Sequence, residues 1–436
     1  MANPDSPTFV NAIAGLIDQL EGIKRSEQIA CPLLQLLASD TQKKFQAFTD
    51  GFKIDDLDAG DGSTTFQIPF ESFKKFKDMR RSLQCSKSSI IQTPRALFVA
   101  MVSAFDAYLG QLMRAIYFVK PEKINASERN LTFAELVKFE TVENAREFIV
   151  AEEIESFLRK SHIEHFEILE KRLKMKLREG LDSWSTFVEL TQRRNLFVHT
   201  DGVISQQYLD ICTQNEVNVT SLSAGDRLHL DGKYFDSAFE CLFEIGVKLG
   251  HVVWRKLAPD ELEKADEALN AVCFQLLETE RYGLANELLT FATQTLKNYS
   301  NSMNRRMFVI NRAIAIKFGN LAHLKSPLET EDWSDCDLPF KLAVSVLEDR
   351  FDDSCDLMKQ IGAEHKLVTR TAYDTWPVFK EFRENEKFRS SYKSLFGDEF
   401  EISNIPEDET EIVKDESDRT DGRPEIDGDS TNGIAT

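Results

Sequence analysis

Four residues near the middle of the chain have the types and spacing that phosphate chemistry needs. The stretch QRRNLFVHTDG, residues 192–202, contains Arg193, Arg194, Asn195 and His199. An arginine can bind a phosphate through two parallel hydrogen bonds and offset the charge that develops there. A histidine can transfer a proton near neutral pH. Without any metal-binding motif, this pattern suits metal-independent RNA cleavage, in which the neighbouring 2′-hydroxyl attacks the phosphate.

The pattern predicts that these residues end a helix over residues 182–200, with Asp182 or Ser183 as N-cap and Gly202 in the left-handed turn that closes it. On a helical wheel, His199 lies about 40° from Asn195, and Arg194 lies about 100° to the other side. Asn195 interrupts an otherwise apolar face, so its amide should have polar partners. That face consists of Trp184, Val188, Thr191 and Val198. The helix dipole should favour the protonated imidazole at His199.

A second helix is predicted over residues 91–120, and it carries an acidic candidate residue, Asp106. Asp106 lies about 80° from the centre of its apolar stripe, at the border between core and surface. Pro121 ends the pattern. The stripe consists of Phe98, Val102, Phe105, Leu109, Leu112 and Ile116.

RRNLFVH resembles the R-N-x-x-x-H signature of HEPN domains, a helical superfamily found in many prokaryotic toxin and defence proteins. The similarity extends over residues 90–256, from VSAFDAYLGQLMRAIY to the helix around residues 230–256. It implies that Arg194, Asn195 and His199 are catalytic and that two protomers pair with both motifs facing one cleft. It also implies that Asp106 helps to hold the cluster.

Basic residues upstream of the motif are candidates for binding RNA. HFEILEKRLKMKLREG predicts a long basic helix capped by Gly180, and it carries Lys174, Lys176 and Arg178. Arg193 is either a further phosphate contact or a solvated side chain. The basic run over residues 74–87 is either a solvated helix face or a surface that guides RNA.

From about residue 260 the pattern changes to paired helices. Tetratricopeptide-like spacing is found in LNAVCFQLL and in the Tyr282 and Ala285 that follow it. The layout recurs further along the chain, where Phe351 takes the place of Tyr282 at an offset of 69, about two repeat lengths. An irregular helical domain is the alternative. The sequence thus predicts an all-α fold with four regions. These are an N-terminal helical and loop extension (1–90), a HEPN-like bundle (91–258), tetratricopeptide-like repeats (259–400) and a disordered acidic tail (401–436).

Composition excludes several classes of protein. The net charge is −20, of which the segment from Glu401 carries −9, so RNA binding would need local basic patches. Seven scattered cysteines without C-x-x-C spacing argue against a disulfide framework or a zinc site. His162 and His165 lie three apart with no cysteine nearby, so a solvated helix face is expected there and a metal site is the less favoured alternative. Neither metal nor cofactor is predicted. No stretch approaches the roughly 20 apolar residues of a membrane span, and no secretory signal is evident. A cytoplasmic location is expected.

Three hypotheses follow from these patterns. The first is a HEPN-type endoribonuclease and homodimer in a toxin or anti-phage defence role, whose C-terminal repeats bind a protein partner. The second is a non-catalytic dimerisation or RNA-binding scaffold. In the third, Asn195 and His199 only cap loop backbone. Phosphate-binding loops and nucleophile-elbow motifs are absent from the sequence, which argues against ATP-driven and α/β-hydrolase chemistry.

Overall fold

The structure, a computed structural model, describes residues 8–52, 66–126, 131–321 and 323–400. Within these residues the fold is all-α, as predicted, and extended pairing is limited to isolated bridges such as the antiparallel one between Val203 and Arg227. The chain divides into two compact units, residues 1–332 and 333–436. The predicted acidic tail, 401–436, lies outside the described residues.

The first unit contains eleven α-helices within the described residues. They are α1 (Phe9–Asp50), α2 (Phe73–Val119), α3 (Phe133–Leu136), α4 (Val142–Leu158), α5 (His162–Leu173), α6 (Trp184–His199), α7 (Gln206–Gln214), α8 (Gly232–Leu257), α9 (Leu262–Glu278), α10 (Tyr282–Thr290) and α11 (Ser302–Phe318).

The two longest helices, α1 and α2, pack along each other. Helix α2 begins at Phe73, eighteen residues before the predicted start at residue 91, so the boundary predicted at 90/91 falls inside it. The helix continues through Pro94, which lacks the backbone N–H of an interior helical residue. All six residues of the predicted stripe are buried.

Aromatic rings join α2, α5 and α6 where the motif residues lie. The ring of Phe187 on α6 is 5.2 Å from that of Phe105 on α2 and 5.5 Å from that of Phe166 on α5. Trp184 packs edge-on against Phe166 at 4.8 Å. Burial of such rings contributes both apolar area and specific geometry, so this cluster fixes the three helices relative to one another.

Helix α5 is shorter than predicted. It ends at Leu173, where Lys174 takes a left-handed conformation, and Gly180 lies in the following loop. The Glu170 carboxylate accepts hydrogen bonds from the backbone N–H groups of Leu177 and Arg178, which holds this loop against the end of the helix. Lys174, Lys176 and Arg178 are therefore not on one helix face.

The paired-helix region shows the same turn twice. Glu280 between α9 and α10 has φ 57°, and Asp349 in the second unit has φ 58°, at the predicted offset of 69. The next residue closes each turn: Arg281 N–H donates to the Leu276 carbonyl at 2.8 Å, and Arg350 N–H donates to that of Ser345 at 2.9 Å. The second unit contains α12 (Leu338–Leu347), α13 (Phe351–Ile361), α14 (Arg370–Thr375) and α15 (Glu386–Phe396).

Helix α2, with its short lead-in from Phe70, is long and apolar enough to pass a test for a membrane span. It contains an 18-residue window of mean hydropathy 1.5, and 56% of that window is buried inside the fold. The core helix of a soluble protein has the same properties, so the window carries no conclusion about a membrane.

Candidate functional site

The turn after α6 is built to stop the helix at His199. The Gly202 N–H donates to the Leu196 carbonyl at 3.0 Å, and Gly202 has φ 82°. A Cβ at this position would lie 3.1 Å from the Phe197 ring and 3.2 Å from the Leu228 carbonyl oxygen. Both the left-handed backbone and the close approach therefore require glycine here.

A buried arginine from α2 fixes the same turn. Arg95 is 6% exposed and donates to the Asp201 carboxylate at 2.8 Å and to the Leu228 carbonyl at 3.2 Å. Its guanidinium lies over the Phe197 ring at 4.8 Å. Arg227 and then Arg95 lower the pKa of Asp201, so its carboxylate stays charged and keeps both partners. The end of α6 is thereby held against α2.

Three residues far apart in sequence meet beside α6. The Asp106 carboxylate on α2 is 3.7 Å from the Arg194 guanidinium through Oδ2, and 2.8 Å from His162 Nε2 through Oδ1. Arg194 also donates to the Asn195 side-chain oxygen at 3.1 Å. The structure thus brings Asp106, Arg194 and Asn195 together, and it adds His162, which the sequence analysis placed on a solvated face.

Arg194 is partly exposed, and the outer nitrogens of its guanidinium contact two neighbouring side chains. Its side chain is 25% exposed, and its Nε atom is buried without a hydrogen-bond partner among the described residues. Asp106 and Asn195 orient the outer part of the guanidinium. An arginine held in this way keeps N–H groups for a phosphate oxygen at little further conformational cost.

His199 lies in the last turn of α6, four residues after Asn195, and its side chain is exposed. Residues four apart are neighbours on a helix surface, so His199 stands next to the Asn195 position on the solvent side. Val198, predicted on the apolar face, is 48% exposed. The prediction fails there because only Leu196 in this last turn reaches the core.

The prediction for His162 and His165 is wrong, since both are buried. Their positions continue an apolar helical stripe, and Phe157 and Phe187 pack against the two rings. Counting histidine as apolar would have revealed this stripe from the sequence. It consists of His162, His165, Phe166, Leu169 and Leu173.

Arg193 belongs to a buried network that the sequence analysis missed. Its Nε donates to Glu189 at 2.7 Å, its Nη1 donates to the His229 carbonyl at 3.0 Å, and its guanidinium lies 3.8 Å from the Tyr234 ring centroid. Tyr208 and Tyr234 both donate to Glu189. Burial and then the Glu189 charge raise the pKa of both phenols. These contacts assign Arg193 to packing between α6, α7 and α8.

The three other predicted RNA contacts are dispersed. Arg178 pairs with Glu170 at 2.7 Å and lies over the Trp184 ring. Lys176 pairs with Glu179 at 2.9 Å on the surface. Lys174 is exposed at the end of α5. Arg178, in the loop that follows α5, is therefore held by side chains of α5 and α6, while the two lysines remain open to solvent.

Another set of cations surrounds a pocket of about 550 Å³ between α2, α4 and α5. Lys123, Lys160, Lys171 and Arg172 line it together with a single acidic residue, Glu153. Arg172 pairs with Glu153 at 3.0 Å, and Lys160 and Lys171 are exposed. The apolar part of the lining comes from Met113, Ile116, Phe157, Ile168, Leu169 and Leu173. The excess of positive charge favours an anion here.

Comparisons of the chain with protein-family models, with curated proteins and with solved structures find no match.

Proposed function

We propose that this chain is a metal-independent endoribonuclease of the HEPN type, acting as a cytoplasmic toxin or anti-phage defence protein. One observation carries the proposal: Arg194, oriented by Asp106 and Asn195, and the exposed His199 both lie in the last two turns of a single helix. Phosphate binding and proton transfer are the two tasks that RNA cleavage through the 2′-hydroxyl requires of a protein.

The chemistry assigns one task to each side chain. The 2′-hydroxyl oxygen attacks the adjacent phosphorus and releases its proton to solvent water, and the bond to the 5′ oxygen breaks. His199, as imidazolium, donates a proton to that leaving oxygen. Arg194 binds the non-bridging phosphate oxygens, where negative charge grows in the transition state. Asp106 and Asn195 position Arg194, and neither of them needs to touch the RNA.

The pocket between α2, α4 and α5 supports an RNA substrate. Asp106 and Ile116 lie on the same helix, so the cation-lined pocket is about 15 Å along α2 from the cluster. A single-stranded RNA spans that distance with two or three nucleotides. Lys160 and Lys171 are exposed there, in a chain whose net charge is −20. Local cations of this kind supply the sequence-independent part of RNA affinity.

The remaining parts of the proposal concern partners. Motif pairing of the HEPN type would place two copies of α6 around one cleft, so the active form is a homodimer. Each of two helical hairpins, α9–α10 in the first unit and α12–α13 in the second, is a proposed contact for a protein that senses or restrains the nuclease.

A cleavage assay with a matched histidine control tests the proposal. Purified full-length protein is incubated with single-stranded RNA in the presence of EDTA, and products are resolved on denaturing gels. His199→Ala should lower the cleavage rate by about 10²-fold or more, because the leaving oxygen loses its proton donor. His229→Ala removes another exposed histidine and should leave the rate unchanged.

Two results would contradict the proposal. One is wild-type protein that binds RNA but leaves it intact, which is the outcome expected of a non-catalytic scaffold. The other is equal cleavage by wild type and His199→Ala. The melting temperature of each variant is measured in parallel, because a drop confined to His199→Ala would indicate that His199 caps loop backbone instead.

A further inference from the structure

Three side chains from α2 and α5 form a cluster that the proposed cleavage chemistry does not fully use. Asp106, His162 and His165 each place one oxygen or nitrogen atom within 4.8 Å of the others. His165 is fully buried, His162 is 9% exposed, and the Asp106 side chain is 28% exposed. The cluster is therefore enclosed by the protein on the histidine side and open to solvent on the carboxylate side.

His165 has a fixed tautomer and an unused lone pair. Its Nε2 is 2.9 Å from the Phe157 carbonyl oxygen, which can only accept, so Nε2 carries the proton. Its Nδ1 is buried and has no hydrogen-bond partner among the described residues. A histidine whose other nitrogen donates to a backbone carbonyl is the usual arrangement of a metal ligand.

Aromatic rings hold the imidazole of His162 in place, but its Nε2 atom lacks an aligned hydrogen bond. Its Nε2 lies 2.8 Å from Asp106 Oδ1, yet the approach is not aligned as a hydrogen bond, and this nitrogen is buried without another partner in the described part of the chain. The Phe187 ring packs edge-on against the imidazole at 5.8 Å, and the His165 ring does so at 5.4 Å. Two adjacent buried imidazoles that each have a nitrogen without a hydrogen bond are costly unless a further group binds them.

We propose that Asp106, His162 and His165 bind one divalent transition-metal ion of the Zn²⁺ class. Two imidazole nitrogens and one carboxylate favour zinc, cobalt, nickel or iron over magnesium or calcium, which prefer oxygen ligands. Bonds of about 2.0–2.1 Å place neighbouring ligand atoms about 3 Å apart, so small side-chain rotations suffice to close the site. Asp106 Oδ2 stays directed towards Arg194 while Oδ1 serves the ion. This site does not rest on the nuclease proposal.

Cobalt and zinc binding to the full chain tests the site. Protein without an affinity tag, with its cysteines kept reduced, is freed of metal by chelation and titrated with Co²⁺, whose visible absorption reports bound nitrogen and oxygen ligands. Zn²⁺ is then added as competitor, and calorimetry gives the stoichiometry. We expect one ion per chain, and at least about tenfold weaker binding for His162→Gln and for His165→Gln.

Matched variants keep the test decisive. His229→Gln changes an exposed histidine outside the cluster and should bind the ion as wild type does. Asp106→Asn, at a partly exposed position, replaces His165→Gln if that buried variant does not fold, and it should weaken binding to a similar degree. Absence of a cobalt band at millimolar Co²⁺ overturns the proposal, as does binding that is equal in wild type, Asp106→Asn and His162→Gln.

Discussion

His251 on α8 is a buried titratable group outside the candidate site. It is fully buried, and neither ring nitrogen has a partner among the described residues. Burial and then the nearby Arg255 charge lower the pKa of His251 to about 3. In the unfolded chain the same group titrates near 6.5, so the unfolded state binds more protons than the native state between these two values. Native stability should therefore fall as the pH drops below about 6.5.

We predict that His251→Leu flattens this acid dependence. Each pH unit below 6.5 costs wild type about 1.4 kcal/mol through this one group, and leucine removes the cost. The melting temperature, measured between pH 7 and pH 5, should fall less in His251→Leu than in wild type. His229→Leu, at an exposed position, should follow the wild-type curve. Equal falls in His251→Leu and wild type would refute the assignment.

Part of the candidate site could be predicted from the sequence, and part of it could not. Arg194, Asn195 and His199 could be identified from the sequence because they lie on one helix, where spacing alone sets their relative positions. Asp106 could be predicted from the sequence because its position between core and surface follows from the helical period of α2. The contact between His162 and Asp106 could not be predicted, because it depends on how α5 packs against α2, which no local pattern encodes.

At the scale of elements, α8 approaches α1 and α2 closely because it carries glycines on that side. A Cβ at Gly250 would lie 2.6 Å from Ile13 Cγ1 on α1 and 2.8 Å from the Tyr108 hydroxyl on α2. That hydroxyl donates to the Gly246 carbonyl at 2.7 Å. A side chain at residue 250 would therefore press on two neighbouring helices at once.

Gly250→Ala should destabilise the protein by about 1–3 kcal/mol, since an added methyl group forces the helices apart. Gly22→Ala is the matched control, because Gly22 lies within α1 and its Cβ would meet nothing within 4 Å. There alanine should stabilise the helix by about 0.5–1 kcal/mol. Thermal unfolding followed by circular dichroism measures both, and shifts of the same sign would contradict the proposed close packing.

The predicted helix boundaries agree best with the structure where the apolar residues repeat with a clear helical period. Helix α6 was expected over residues 182–200 and runs from Trp184 to His199, with Ser183 at the N-cap. Helix α2 was predicted too short at its start, since it begins at Phe73. Helix α5 was predicted too long, because Lys174 rather than Gly180 takes the left-handed conformation at its end.

At the scale of the whole molecule, the sequence offset of 69 has a structural counterpart in the turns at Glu280 and Asp349. The boundary between the two compact units, at 332/333, nevertheless divides the region predicted as one array, residues 259–400. The repeat pattern in the sequence reflects the turn that joins the two helices of each hairpin. Which hairpins share a core depends on contacts between elements distant in sequence, and these leave no periodic signal.

An exposed apolar stripe on α1 is a further surface, besides the motif pairing at α6, on which we place a contact between the two copies of the proposed homodimer. Leu33, Leu36 and Leu37, together with Ile29, are each at least half exposed and lie on one side of the helix. Contiguous exposed apolar surface marks interaction sites in soluble proteins. Two copies of this stripe can pack on each other around a two-fold axis, because the same face then serves both partners.

Leu33→Glu combined with Leu37→Glu should convert the dimer to a monomer at micromolar concentration, since the two-fold contact would bury four like charges. Size-exclusion chromatography with light scattering gives the mass of each form. Gln28→Glu with Gln35→Glu adds the same charge to exposed positions about 120° or more around α1, and it should leave the dimer intact. A wild-type monomer would refute the homodimer, whereas a dimer that persists in the leucine double variant would show that the stripe is not its interface.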